Sequence, residues 1–404
     1  MMELFENLYK MTAIPDFISN PGFILMILIG AFLLFLGIKK KYEPLLLIPI
    51  GFGIILANLP GGGMGIVPAE NIQIDENHYK NLFEIANEYG IMNFLYYSLI
   101  KTGFLPPIIF MGIGALTDFG PMLRNLKLAF FGAAAQIGIF TVLLTTVALG
   151  FSLKEAASLG IIGGADGPTA IYTTILLAPH LLGPIAIAAY SYMALVPVII
   201  PFVVKLTCSK KELQINMKEM DIKYPSKREI KNLKVVKIIF PIVLGIIIAI
   251  FVPSSVPLLG MLFFGNLIKE VGSTIGRLTD AASGTILNTS TIFLGLTIGA
   301  TMTSKVFFDE KTIMILIGGL FAFVISITGG IFLVKLYNLF FKKKINPLIG
   351  ATGLSAVPMA SRVANEIAIK HNPKNHVLQY CMASNISGVI GSAVAAGVLI
   401  SFLG

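Results

Sequence analysis

Gly160-Ile-Ile-Gly-Gly-Ala-Asp-Gly-Pro-Thr-Ala-Ile-Tyr172 decides how this chain is read, because it sets one carboxylate, Asp166, among glycines and a proline in an otherwise apolar segment. A charge at bilayer depth costs roughly 2.5 to 3.5 kcal/mol on insertion scales, so a residue of this kind lines a cavity or binds an ion. Gly163, Gly164, Gly167 and Pro168 do not sustain a helix through that point. Broken backbone at membrane depth is tolerated only inside protein or around water. The plainer alternative is an aspartate that caps an ordinary helix.

Composition supplies the membrane. Of 404 residues, 55% are hydrophobic and 13% charged, more apolar surface than a soluble fold can hide. The apolar runs extend for about twenty residues, the length that crosses hydrocarbon as helix, and lack the ten-residue alternation of a barrel. The chain is therefore expected to be an all-α polytopic membrane protein. Its net charge of +9 sits beside apolar runs, where it orients spans at anionic lipid, so no nucleic-acid partner is expected. Cys208 and Cys381 match no zinc or redox spacing, and His78, His180, His371 and His376 form no ligand pattern. The N-terminal residues carry no cleavable signal pattern, so no removable leader is expected.

Spans are expected at about 22–38, where Lys39-Lys40-Lys41 mark the cytoplasm, and at about 45–59. An acidic loop follows, carrying Glu70, Asp75, Glu76, Glu84 and Glu88 against Lys80, and reads as external. A third span runs through Ile108–Gly114 and a fourth over about 128–151. The segment 205–237, rich in lysine, belongs inside. Two apolar segments lie between the fourth span and that loop. If both crossed, the loop would land outside, so about 157–183 is expected to enter and leave on the external side as a re-entrant hairpin with Asp166 at its tip. Further spans are expected at about 236–252, 257–268, 281–302, 312–339 and 377–403. Asn346-Pro-Leu-Ile-Gly-Ala-Thr-Gly-Leu-Ser-Ala-Val-Pro358 is too broken to cross and reads as a second re-entrant hairpin, about 346–366, from the cytoplasm.

The two halves resemble each other. Phe110-Met-Gly-Ile-Gly-Ala matches Phe293-Leu-Gly-Leu-Thr-Ile-Gly-Ala, and each precedes a long span and then a Gly/Pro-broken segment. Opposite orientation of the copies is the signature of an inverted-repeat transporter, whose broken segments meet near the midplane around a coupling ion. The expected organisation is N-terminal spans and external loop over 1–93, repeat 1 over 94–208, a basic loop with linking spans over 209–280, and repeat 2 over 281–404. Where the hairpins meet, Asp166, Thr169, Tyr172, Asn346, Ser355 and Asn385 offer hard oxygen donors that suit Na⁺. Arg362, just past the second hairpin, either binds an anionic substrate or is one more orienting charge.

With Gly163-Gly-Ala-Asp-Gly-Pro-Thr169, Phe110-Met-Gly-Ile-Gly-Ala-Leu-Thr-Asp-Phe119, Asn346-Pro-Leu-Ile-Gly350, Ser355-Ala-Val-Pro-Met359 and Ser387-Gly-Val-Ile-Gly-Ser392 in view, the chain resembles the membrane β subunit of the biotin-dependent sodium-pump decarboxylases over nearly its whole length. The resemblance implies a multi-pass protein of a prokaryotic inner membrane that decarboxylates carboxybiotin, takes up an external proton and exports Na⁺. It implies catalytic roles for Asp166, Arg362 and Tyr192, with Arg362 at the carboxybiotin end. It implies Na⁺ at Asp166 with Asn346, a second site at Tyr192 with Ser355, and roles for Asn385 and for the backbone at Gly163, Gly164, Gly167 and Gly350. The implied partners are a biotin carrier, a carboxyltransferase α-type subunit that selects the acyl donor, a small γ/δ-type membrane subunit and further copies of the β subunit. No Met-Lys-Met biotinylation motif occurs, so biotin must arrive on another chain. The family is drawn with its N-terminus inside, whereas the charge count here puts it outside. The competing class is a secondary Na⁺/H⁺ or Na⁺/carboxylate transporter, which would use the same repeats without covalent chemistry.

Overall fold

The computed structural model describes residues 9, 11–75, 78–225, 230–356 and 358–404. Among them stand five helices long and apolar enough to cross a bilayer, and two sharply bent helix pairs raise the number of candidate spans to seven. The chain is helical apart from one two-stranded antiparallel ladder in the acidic loop, β1 (Gln73–Asp75) with β2 (His78–Tyr79). Of the charges used above to assign sides, Glu76, Lys227, Arg228 and Glu229 lie outside the described residues, as does Val357 of the second broken segment.

The first two apolar runs form helices α1 (Gly22–Ile38) and α2 (Pro44–Ala57), packed against each other. At 17 and 14 residues they are about 26 and 21 Å long, short of the ~30 Å hydrocarbon layer. The third run departs from a single expected span. Helix α3 (Leu82–Leu95), with a break at Gly90, continues to Ile100 and then bends by 69° into α4 (Leu105–Leu116). Gly103, at φ 74°, makes the left-handed turn there, and Pro106 restarts the helix where its missing N–H costs nothing.

Helices α5 (Leu126–Ala135) and α6 (Ile137–Ala148) together make one span. Helices α7 (Leu153–Gly160) and α8 (Gly167–Leu177) flank the break at Asp166. The second of the two apolar segments before the basic loop, expected to cross, bends by 67° at Leu195 between α9 (Leu182–Ala194) and α10 (Val196–Thr207). Pro197 and Pro201 remove backbone donors on the far side of that bend.

The basic loop forms two short helices, Lys210–Leu213 and Met217–Lys223. Helix α11 (Leu233–Phe251) turns into α12 (Val256–Val271), and α13 (Leu287–Thr301) completes a span that begins at Gly276. Helix α14 (Glu310–Phe340), capped by Asp309, has 31 residues and about 46 Å of length, enough to pass beyond the hydrocarbon on both sides. Helices α15 (Met359–His371) and α16 (Leu378–Leu403) close the chain.

Small residues let the long helices approach. Helix α13 lies along α2, α12 along α4 and α16 along α5. A Cβ at Gly114 would come within 2.0 Å of the Leu262 carbonyl, and one at Gly132 within 2.1 Å of the Ser384 carbonyl, so these seams admit only glycine. At one end of the bundle Lys237 Nζ bridges Asp118 Oδ1 at 2.8 Å and Glu270 Oε1 at 3.0 Å, joining the loop after α4 to α11 and α12. The outer faces remain apolar: Ile250 and Phe251 on α11 are 70% and 79% exposed, as befits side chains that meet lipid. Both Gly/Pro-broken segments lie within the larger of the apolar clusters, away from those faces.

Candidate functional site

The first broken segment opens with a capping box. Ser152 Oγ accepts from the Glu155 N–H at 3.3 Å and Glu155 Oε2 accepts from the Ser152 N–H at 3.0 Å, which starts α7. Glu155 Oε1 also holds His180 Nε2 and Lys311 Nζ, each at 3.0 Å, so the two ends of this segment are tied to each other and to α14. Past Gly160 the chain tightens into a 3₁₀ turn, Ile161–Gly164, and Ala165 follows at φ 56°. That left-handed residue, uncommon without glycine, reverses the chain and delivers Asp166 in extended geometry at the start of α8.

Asp166 satisfies both readings offered by the sequence. Its Oδ1 accepts from the Thr169 N–H at 3.2 Å and caps α8. Its Oδ2 accepts from Ser392 Oγ at 2.7 Å, and the side chain borders a cavity of about 170 Å³.

The second broken segment crosses the first at the same place. The Ser355 N–H donates to the Gly164 carbonyl at 2.9 Å, and Ser355 Oγ lies 2.9 Å from Ser392 Oγ. Asp166, Ser392 and Ser355 are therefore one hydroxyl chain with α16 between the two segments. Gly350 lets the second segment lie directly on α14: a Cβ there would meet the Gly330 carbonyl at 2.1 Å. Gly167 accommodates the Tyr190 ring, whose Cε1 would lie 2.2 Å from a Cβ.

The other expected site residues make their hydrogen bonds away from Asp166. Asn346 opens the second segment and is buried. Its amide donates to the Leu213 and Ile215 carbonyls, both at 3.0 Å, and its Oδ1 accepts from the Leu348 N–H at 3.0 Å, so its polar atoms anchor the second segment to the basic loop. The Tyr192 hydroxyl donates to the Leu316 carbonyl on α14. Asn385 donates to the Thr352 and Leu354 carbonyls at 3.1 and 2.5 Å and staples the second segment, while its Oδ1 stays buried without a partner. Arg362 is exposed on the first turns of α15. Gly163 and Gly164 pack against α6 and Ser392.

Three residues join the site that the sequence reading left out. Ser392, the bridge to Asp166, falls two turns after Asn385 and so on the same face of α16, a relation the spacing carries. Tyr190 is fully buried, and its unpartnered hydroxyl belongs to a side chain that lines the cavity. Glu43, between α1 and α2, lines it as well. No cluster of three His, Cys, Asp or Glu side chains occurs among the described residues, so the donor set is hydroxyls, amides and the carboxylates of Asp166 and Glu43. Gln136 Oε1, Thr169 Oγ1, Tyr190 OH and Asn385 Oδ1 are all buried and have no hydrogen-bond partner among the described residues. Buried polar atoms in native folds ordinarily have partners, and hard neutral oxygens around one carboxylate suit a monovalent hard cation.

Residues 22–403 match the family model described as the Na⁺-transporting oxaloacetate decarboxylase beta subunit. The methylmalonyl-CoA decarboxylase subunit beta of Propionigenium modestum is 46% identical over 97% of this chain and 99% of its own length. A probable oxaloacetate decarboxylase beta chain of Vibrio cholerae is 44% identical over 94% and 95%. The glutaconyl-CoA decarboxylase subunit beta of Acidaminococcus fermentans is 44% identical over 97% and 98%.

Proposed function

The chain belongs to the β subunits of the Na⁺-transporting, biotin-dependent decarboxylases, and from that premise we propose how its residues divide the work. It is a bacterial membrane subunit of a multi-subunit decarboxylase, which decides against the secondary-carrier alternative. The observation that carries the reading is the joint between the two broken segments, where Asp166 is bonded to Ser392 and Ser392 to Ser355.

Carboxybiotin, delivered on a carrier chain that a carboxyltransferase subunit loads, supplies an N–CO₂⁻ bond that breaks to release CO₂ and leaves an electron pair on the ureido nitrogen for a proton to take. A cation fits its carboxylate, and Arg362, exposed and without an ion pair among the described residues, takes that role. The apolar side chains of the cavity, Ile109 and Ile113 among them, keep water from the bound carboxylate, which favours loss of CO₂. Asp166 binds Na⁺ when ionised and gives it up when protonated, so one group couples the proton taken from outside to the ion exported. Ser355, Ser392, Thr169 and the free Oδ1 of Asn385 complete the cation's oxygen shell. Tyr192 acts by holding α9 to α14, and Asn346 by holding the second segment in position. Exporting one charge against 100 mV costs about 2.3 kcal/mol, which decarboxylation covers through alternating exposure of the site. We read the two halves as inverted copies that rock against each other, supported by the matched Gly-rich stretches of the sequence and by the meeting of both broken segments at one point. The small membrane subunit and further β subunits complete the assembly.

The deciding experiment replaces Asp166 with Asn, which keeps the helix cap and removes the charge. Na⁺-dependent decarboxylation and ²²Na⁺ uptake by inverted vesicles should both fall at least a hundredfold, and undiminished activity would remove Asp166 from the mechanism.

A further inference from the structure

The cavity that holds Asp166 contains a second carboxylate that this division of labour does not use. Glu43 sits in the short connection between α1 and α2, behind Lys39, Lys40 and Lys41, and lines the cavity together with Tyr190, Asn288, Thr291 and Ser355. Its carboxylate has no hydrogen bond or ion pair among the described residues, and the residue holds a left-handed backbone (φ 36°) immediately before Pro44, a position where that conformation is disfavoured. Burial pushes its carboxyl above the ordinary range, and the charge of Arg362 pulls it part of the way back. The two opposite charges thus feel each other near the cavity without closing into a salt bridge.

A cation site is the obvious use for a half-buried carboxylate on a cavity, but the Arg362 charge opposes it, since a fixed cation within electrostatic reach offsets the attraction Glu43 would offer to Na⁺. A ligand that carries its own anion and its own N–H donor reverses that objection. The ureido ring of carboxybiotin has one nitrogen carboxylated, one nitrogen still bearing hydrogen, and a carbonyl oxygen between them. Its complement is a guanidinium for the carboxylate, a carboxylate for the N–H, and a neutral donor for the carbonyl. Glu43 and the exposed amide of Asn288 line the cavity, and Arg362, whose charge reaches Glu43, completes that set.

Resting on the carboxybiotin reading above, we propose that Glu43 is the acceptor for the ureido N–H of the biotin head group, fixing the ring over the cavity while Arg362 holds the carboxylate. Glu43 then separates the biotin end of the cavity from the cation end at Asp166. It orients the ring and takes no part in the Na⁺ shell.

The test uses the full chain in detergent and two binding measurements that need no turnover: tritiated biocytin by equilibrium dialysis, and ²²Na⁺. Glu43→Gln keeps the shape and loses the charge, so biocytin binding should weaken about tenfold, Glu43→Ala should weaken it further, and Glu43→Asp should retain part of it. In Glu43→Gln, ²²Na⁺ binding should match wild type, whereas Asp166→Asn should lose ²²Na⁺ and keep biocytin. Weakened ²²Na⁺ binding with unchanged biocytin binding would make Glu43 a cation-loading group and overturn the proposal. Unchanged binding of both would also overturn it. If the wild-type chain bound no biocytin, the carboxybiotin reading itself would fail, an outcome distinct from a wild type that binds and a Glu43→Gln variant that binds equally well.

Discussion

The two broken segments meet at one point but are built on opposite plans. The first carries its charge at the tip: Asp166 is exposed to the cavity and divides its oxygens between a helix cap and Ser392. The second is neutral there and spends amide side chains on holding itself together, with Asn346 fixing its start to the Leu213 and Ile215 carbonyls and Asn385 fixing its turn at Thr352 and Leu354. An ion that must bind and leave needs on one wall a carboxylate that can change its charge. The facing wall must keep its shape as the charge changes, and amide-to-carbonyl bonds do not titrate. On the proposed reading, the difference makes the first segment the switch and the second its fixed counterpart.

If that division is right, the second segment should be the less forgiving to steric change. Gly350→Ala puts a methyl group 2.1 Å from the Gly330 carbonyl, a contact that neither backbone can relieve without shifting the whole segment off α14. A loss of roughly 2 to 4 kcal/mol is expected, in the range of overpacked or strained core sites. The measurement is thermal unfolding of the purified subunit, where Gly350→Ala should melt well below wild type while Asp166→Asn, despite its larger effect on transport, should melt close to it. Equal melting temperatures for Gly350→Ala and wild type would show that the second segment is free to move, and would erase the contrast.

A smaller effect is expected where the two plans touch. Ser392→Ala removes the hydroxyl that joins Asp166 to Ser355 but leaves the helix cap and the Ser355–Gly164 backbone bond in place. Loss of one hydrogen bond to a charged group is worth about 1.5 to 3 kcal/mol. Half-saturation by Na⁺ should therefore rise about ten- to a hundredfold with little change in melting. Ser392→Thr, which restores a hydroxyl, should recover part of the loss. An unchanged Na⁺ dependence would mean that α16 takes no part in the site.

Much of this arrangement is legible in the chain, and the reasons for the rest are specific. Asp166 stands out because a lone charge in an apolar run has few structural uses, and the breaks around it follow from Gly163, Gly164, Gly167 and Pro168. Tyr190 and Tyr192 are harder: both fall on α9, two residues apart, and so on nearly opposite faces. Which face meets the cavity depends on the 67° bend at Leu195, and a Pro-containing apolar run does not announce whether it kinks or passes straight through. Asn346 and Asn385 carry the same functional group as a cation ligand and as a backbone staple. The choice is made by carbonyls 133 residues away for Asn346 and 31 away for Asn385. Glu43 was hidden by its neighbours, since a carboxylate beside three lysines reads as interface until the packing of α1 on α2 turns it into the cavity.

The least of the expected effects separates the two segments by pH. The first is latched at its ends by an ionic cluster, whereas the second is anchored at its start by the neutral amide of Asn346. Hydrogen bonding from His180, with further bonds from Ser152 and Lys311, holds the Glu155 carboxyl at about 2 against the opposing push of burial. A carboxylate depressed in the folded state stabilises above its unfolded value of 4.5 and loses that contribution as pH falls toward about 2. Between neutrality and pH 4.5 the contribution of the Glu155 carboxyl should therefore be constant. Below 4.5, amide exchange in residues 153–177 should accelerate progressively while residues 346–354 keep the slope expected from chemical exchange alone. Glu155→Gln should remove the extra acceleration from the first segment and leave the second untouched. Parallel acceleration of both segments, or a slope in the first that survives Glu155→Gln, would mean that the latch is not what distinguishes them.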